Sequence, residues 1–287
     1  ATVEGALRAP VVTGALNVAD GRIRHFQLPH ALEEISGPVR FDSRGLSLDE
    51  VSARLGGGPV RFGGRIDMEG YLPSRLDLSM SGENMRLRFP EGMRSVVDAS
   101  LTLTGSLDAA TLGGTVTVRS AVYSTRFDTG GGLFNLGGAT PLPGAGAERP
   151  GAQPLRYDVQ LTAPGTLRIE NNQARIQATA DLQLRGTVER PLLFGQAEID
   201  RGEVTFEGRR YTITRGTVDF NNPTRIEPFF DIEAETRVRV PGETYRITVR
   251  AAGTSERFTP QLSADPPLPE VEVLALLFSD VAPGQDV

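Results

Sequence analysis

Residues 201–220 read RGEVTFEGRRYTITRGTVDF. Within them, Val204-Thr205-Phe206-Glu207, Tyr211-Thr212-Ile213-Thr214 and Val218-Asp219-Phe220 alternate apolar and polar side chains strictly. Successive side chains of a strand point to opposite faces, so each segment reads as a strand with one dry and one wet face. Buried parallel strands of an α/β fold would be apolar throughout. A polar residue followed by glycine punctuates the run at Arg201-Gly202 and Arg215-Gly216, each just before the next apolar position.

The pattern extends in both directions. Towards the N-terminus it recurs in Val39-Arg40-Phe41, Leu76-Asp77-Leu78-Ser79-Met80, Leu101-Thr102-Leu103-Thr104 and Val116-Thr117-Val118-Arg119. It continues through Tyr157 to Leu161, Leu167-Arg168-Ile169 and Ala180-Asp181-Leu182-Gln183-Leu184, and reappears at Ile247-Thr248-Val249-Arg250. About 20 such strands, roughly 8–12 residues apart, predict an all-β protein. Asp20-Gly21, Arg44-Gly45, Arg185-Gly186, Arg201-Gly202 and Arg215-Gly216 share one form and predict the strand connections. A longer repeat overlies this: Pro10, Gly14, Gly21 and Ile23 match Pro191, Gly195, Gly202 and Val204 in spacing, with a weaker copy at Ala110, Gly114, Ala121 and Tyr123. Repeated strand units that cannot each bury an apolar face predict lateral stacking into an elongated sheet.

Two segments depart from the alternation. Residues 129–154 are rich in Gly, Pro and Ala and read as a long, mobile loop between two stretches of one architecture, 1–128 and 155–268. Residues 269–280 read as a short amphipathic helix capping the end of the sheet, with Val271, Leu274, Leu277 and Phe278 on one face. Pro269-Glu270 suits a first helical turn.

Composition narrows the function. There is no cysteine, which excludes disulfides and thiolate metal sites. The net charge is −6 and all thirty basic residues are arginine, interspersed with acids, so no basic stripe for nucleic acid is present. No apolar window is long enough for a membrane-spanning helix. The opening Ala1-Thr2-Val3-Glu4-Gly5 lacks the shape of a signal peptide and begins in mid-pattern, as a piece of a longer protein would.

Candidate catalytic groups do not assemble. His25 and His30 lie near Glu33 and Glu34 but lack the spacing of a zinc-protease helix. No nucleophile elbow occurs, and the glycine run 130–138 lacks the Gly-Lys-Ser/Thr ending of a phosphate loop. Asp200, Glu203, Glu207 and Asp219 alternate with the apolar set and are expected to face water. Asn221-Asn222-Pro223-Thr224 is not a glycosylation sequon. The expectation is a non-enzymatic protein without cofactor or metal.

The inward set is mostly Val, Leu and Ile, with 13 Phe, 5 Tyr and no Trp, and no long helix is available to cover it. The sheet must curl on itself or keep an apolar groove open. An open trough would need an occupant such as acyl chains or a client strand. The candidate liners are Leu76, Leu78, Leu101, Leu103, Val116, Val118, Leu167, Ile169, Leu182, Leu184, Val204, Phe206, Tyr211, Ile213, Val218, Phe220, Ile247 and Val249. A closed β-sandwich, or a parallel β-helix bearing a carbohydrate-active or adhesin surface, satisfies the same alternation. An outer-membrane barrel would call for aromatic girdles, against which 6% aromatics and no tryptophan argue.

The stretch Arg190 to Phe206, then Tyr211 to Phe220 and Pro228-Phe229-Phe230-Asp231-Ile232, resembles the C-terminal domain of the TamB family, within the AsmA-like group. Leu262 to Leu268, leading into Val273-Leu274-Ala275-Leu276-Leu277-Phe278, is similar to the family's closing element and leucine-rich helix. The resemblance implies a curved, taco-like sheet with an apolar groove plus one short C-terminal helix. It implies a periplasmic location within an inner-membrane-anchored protein whose anchor lies outside this chain. It also implies phospholipid transfer to the outer membrane, and a partnership with a TamA-like barrel in which unfolded outer-membrane protein strands are assembled. A strand-binding scaffold is the alternative to a lipid conduit.

Overall fold

The structure, a computed structural model, describes residues 2–6, 9–24, 30–70, 72–88, 92–125, 155–206, 208–254 and 257–278. The alternating segments form fifteen strands. The first eight are β1 (Thr2–Ala6), β2 (Ala9–Ile23), β3 (Leu32–Asp42), β4 (Gly45–Leu55), β5 (Gly58–Glu69), β6 (Leu72–Leu87), β7 (Met93–Ser106) and β8 (Thr111–Tyr123). They are followed by β9 (Arg156–Glu170), β10 (Ala174–Thr187), β11 (Pro191–Phe206), β12 (Arg209–Phe220), β13 (Pro228–Val240), β14 (Glu243–Thr254) and β15 (Phe258–Asp265). A 3-10 turn, Leu107–Ala109, joins β7 to β8, and one α-helix, α1 (Glu270–Phe278), closes the described chain.

The strands lie side by side in sequence order in one open, curved sheet. Every neighbouring pair is antiparallel except β8 and β9, which run parallel. A parallel pair needs a crossover of a dozen or more residues, and residues 124–155 provide it. The predicted Gly/Pro-rich loop 129–154 falls outside the described residues. A single meander of this kind is neither a β-helix nor a two-sheet sandwich, and β1 and β15 do not pair to close a barrel.

The expected count of about 20 short strands is corrected to fifteen, most of them longer than ten residues. Three of the five predicted glycine turns lie inside strands. Asp20-Gly21 is within β2, Arg201-Gly202 within β11 and Arg215-Gly216 within β12. Each adjoins a register shift: Val18/Gly21 on β2, Gln177/Ala178 opposite Asp200, and Ile213/Arg215 on β12. There the chain bulges rather than reverses. At Gly216 the small residue serves close approach, since a Cβ would stand 2.6 Å from Ile199 Cδ1. Arg44-Gly45 and Arg185-Gly186 do lie at strand ends, as expected.

Bulges supply the curvature. Asp20, Glu34, Glu50 and Asn84 are non-glycine residues at positive φ, between 51° and 54°, and each sits at a register shift of β2, β3, β4 or β6. Such residues are uncommon in strands, and a bulge bends and twists the strand that carries it. Gly195 of the long repeat serves close approach instead, within a ladder that runs without a shift there. Gly195 has φ +113°, and a Cβ there would lie 2.2 Å from the Asp181 carbonyl oxygen.

The core is correspondingly thin. Val60, Met85 and Val97 form one buried cluster, flanked by Phe62, Met80, Val116 and Val118 on the same sheet face. Met85 is only 2% exposed although no second layer is described over it. Side chains converge in this way on a concave face, so the apolar face is the inner one. The outer face carries polar ladders: Gln196 donates to Asp219 (2.7 Å), Gln183 to Asp158 (2.9 Å) and Arg250 to both oxygens of Asp231. Arg65 bridges Asp42 (2.7 Å) and Asp67 (2.8 Å) across β5 and the β3–β4 turn.

Gly195→Val is expected to destabilise the fold by roughly 2–4 kcal/mol in urea melts, because a Cβ must displace backbone. Gly208→Ala, at a turn with nothing within 4 Å, is the mild comparison. A second expectation concerns pH. The Arg65 guanidinium beside Asp42, helped by the Arg44 amide, lowers its carboxyl from 3.8 to about 2. A depressed folded-state pKa contributes stability above the unfolded value that is lost as pH falls through about 2. Melting temperature should therefore drop over that acid window. Asp42→Asn should flatten part of the drop, and high salt should shrink the effect.

Candidate functional site: the inner face and its helix

Residues paired across neighbouring strands share a face, so the register shows where each candidate liner points. Leu78 pairs with Leu103, Leu76 with Gly105 and Leu101 with Gly114. Val118 pairs with Val97, and Val116 continues to Leu161 and Leu182. Leu184 pairs with Val159, and Leu167 with Ala178. Ile169 begins a row through Ile176, Gly202, Ile213, Ala234, Val249 and Leu262, crossing seven strands. Val204 pairs with Tyr211, Val218 with Ala197 and Phe220 with Gly195. Ile247 pairs with the buried Thr236. Phe206 packs against the same cluster as Tyr211 and Ile247. All eighteen residues therefore share the inner face, bulges included.

They do not share one environment. Most are half-buried, with no described element above them. At the β15 end, α1 lies on the face. Val273, Leu276 and Leu277 pack on Tyr211, Val238 and Ile247, with Phe206, Tyr245, Val249, Leu262 and Ala264 around them. Ile247 is 0% exposed. Tyr211 is buried as well, which pushes its phenol pKa up through loss of solvation. Phe206 meets Phe278 edge to face, with ring centroids 6.3 Å apart. Four of the eighteen, Phe206, Tyr211, Ile247 and Val249, thus belong to the helix seat.

The expected helical face is also corrected. Leu277 is buried, but Val271, Leu274 and Phe278 are 77%, 40% and 60% exposed, and the docked residues are Val273, Leu276 and Leu277. Sequence reasoning missed Val273 and Leu276 because the helix is apolar on both sides. It also missed Arg209, whose Nε donates to the Leu277 carbonyl and whose Nη2 donates to that of Leu276, both at 3.0 Å. A guanidinium at a helix C-terminus satisfies carbonyls left without a partner and complements the dipole. Nothing local in the sequence announces a contact between residues 67 and 68 positions apart.

The residues set aside as chemistry are placed as follows. Asp200 accepts from the Thr179 hydroxyl, Asp219 accepts from Gln196, and Glu203 lies 3.6 Å from Arg210. Glu33 and Glu34 pair with Arg22 and Arg54, and His30 Nε2 accepts from the Arg88 amide. His25 and Glu207 lie outside the described residues. Among the described residues no group of three or more His, Asp or Glu could hold a metal ion. A hollow of about 470 Å³ beside Arg225, Glu227 and Phe229 opens on the outer face, away from the apolar rows.

An open, curved sheet with one apolar face and a terminal leucine-rich helix is thus in place, and the sequence matches the TamB C-terminal domain family over residues 49–286. The chain belongs to that family. The match begins within β4, well before the stretch whose motifs carried the resemblance. No curated protein of similar sequence matches the chain. TamB domains have a role in outer-membrane protein assembly or lipid transport, are periplasmic or membrane-associated and are not known as enzymes. No helix among the described residues is long and apolar enough to cross a membrane.

Leu276→Ala should weaken the seat of α1 by about 3 kcal/mol. The measurement is amide exchange, which should accelerate across 270–278 while β4 to β8 remain as protected as before.

Proposed function

We propose that this TamB domain is a passive conduit that holds phospholipid acyl chains along its inner face, with head groups at the wet rim. The observation that carries this reading is continuity. Apolar side chains run in register from β2 to β15 on one face, and α1 is the only described element packed on it. Burial of apolar surface is worth roughly 25 cal/mol per Å², and an uncovered face of many strands is a strong driving force for something to occupy it. An acyl chain is long, flexible and without hydrogen-bonding groups. It can follow a trough lined mainly by Leu, Ile, Val and Phe.

In this reading the open liners are Leu76, Leu78, Leu101, Leu103, Val116, Val118, Leu167, Ile169, Leu182, Leu184, Val204, Ile213, Val218 and Phe220. The conduit works within a protein anchored in the inner membrane and meets a TamA-like barrel at the outer one. A second reading rests on β15, which has no strand on its far side among the described residues. A client strand could add there by β-augmentation, although Pro260 lacks an amide to pair.

Native mass spectrometry on detergent-free protein tests the choice. Co-purified phospholipid is expected, and Leu103→Asp or Phe220→Asp should lower its occupancy about tenfold, since a charge is costly among acyl chains. A folded chain that carries no lipid, and binds none from vesicles, would sink the conduit and favour the strand scaffold.

A further inference from the structure

The helix seat has features that closing off a sheet does not require. The face beneath α1 is of the same kind as the open trough. The row Ile213–Ala234–Val249–Leu262 runs unbroken from the open part into the seat. The helix is short, nine residues, and follows Pro266-Pro267-Leu268-Pro269, a segment that pairs with no strand. Its outward side carries Val271 and Leu274, both exposed, beside Glu270 in the first turn, while Phe278, also largely exposed, meets Phe206 at the edge of the seat. A helix made only to shield a sheet from water has a polar outer side. One that borders an apolar-filled space can carry apolar residues outward, as α1 does beyond its acidic first turn. Arg209, the first residue of β12, ties its C-terminus down through two main-chain carbonyls.

We infer that the sheet beneath α1 is a further acyl-chain site, and that α1 is its displaceable occupant, latched by Arg209. The inference rests on the conduit reading and adds a gate to it. With α1 seated, the part of the face over Tyr211, Val238 and Ile247 is closed, and chains lying beside it contact Val271 and Leu274. With α1 lifted about the Pro266–Pro269 segment, the apolar rows continue to β15. The helix loses its contacts with Ile247 and Tyr211, and a chain entering the seat regains them. The exchange is therefore close to balanced, and the Arg209 hydrogen bonds hold the closed state.

The test uses the full chain and cis-parinaric acid, a fluorescent fatty acid, as probe. Amide exchange of residues 270–278 is followed by mass spectrometry with and without saturating probe, in the native chain and in Arg209→Ala. Probe loading should accelerate exchange in α1. Arg209→Ala alone should accelerate it about tenfold, from loss of charge-assisted hydrogen bonds, and should raise the amount of probe bound per chain. If probe binds while α1 exchange in the native chain stays unchanged or slows, the gate is overturned and the trough stands. If neither chain binds probe, the conduit reading falls and the gate with it. The native-chain comparison needs no substitution, so it decides even where Arg209→Ala fails to fold.

Discussion

A sheet one layer thick has an apolar face that must be covered, and everything else in this structure answers that constraint. The usual answer is a second sheet or a layer of helices. Here the described chain has nine α-helical residues, one 3-10 turn and fifteen strands, so the sheet has to cover itself. Curvature does this by bringing side chains on the concave side together. It requires strands that bend, and bending requires residues that leave the regular ladder. The register shifts on β2 to β12 and the positive φ at Asp20, Glu34, Glu50 and Asn84 are the means. The last pairs, β13–β14 and β14–β15, run without a shift, and this is where α1 takes over the covering.

The outer face needs order of a different kind. A one-residue slip would turn the apolar set outward, so register is strongly specified by the pattern itself. Cross-strand polar contacts add to it. Gln196 with Asp219, and Arg250 with Asp231, sit directly opposite or diagonal in the ladder. Charges also fall into transverse rows. Arg237 faces Arg246, an unfavourable like-charge pairing, while the next inward pair is Glu235 with Thr248. Arg246 leans to Glu235 at 3.9 Å, relieving the conflict through the neighbouring row. Each contact is solvent-exposed and individually weak, so their value lies in fixing which residues face each other.

Much of this was legible in the sequence because period-two alternation records the face directly. Leu101 and Leu103, or Val116 and Val118, could be assigned to one side without knowing their neighbours, whereas across a bulge the parity shifts by one, as from Ile213 to Val218 on β12. Strand ends were less legible. Asp20-Gly21, Arg201-Gly202 and Arg215-Gly216 have the chemistry of turns, and the same chemistry serves a bulge in mid-strand. Local sequence does not distinguish them, because the difference is made by the partner strand. The helix was placed correctly, but its buried side was not. With Val, Leu and Phe around its circumference, periodicity leaves the docking side undetermined until Tyr211, Val238 and Ile247 select Val273, Leu276 and Leu277.

The two ends of the inner face are unequal, and the inequality follows from the same constraint. On β2, Leu16 is 59% exposed although it shares the inner face with Val39 and Leu48. At β14, Ile247 is fully enclosed. Both are aliphatic residues of the same apolar rows, and they differ in what lies over them. Curvature alone covers the middle of the face, where neighbours on both sides converge. It cannot cover the ends, where neighbours exist on one side only. The β15 end is covered by α1. Nothing among the described residues does this for Leu16, and that absence accounts for the difference in exposure between it and Ile247.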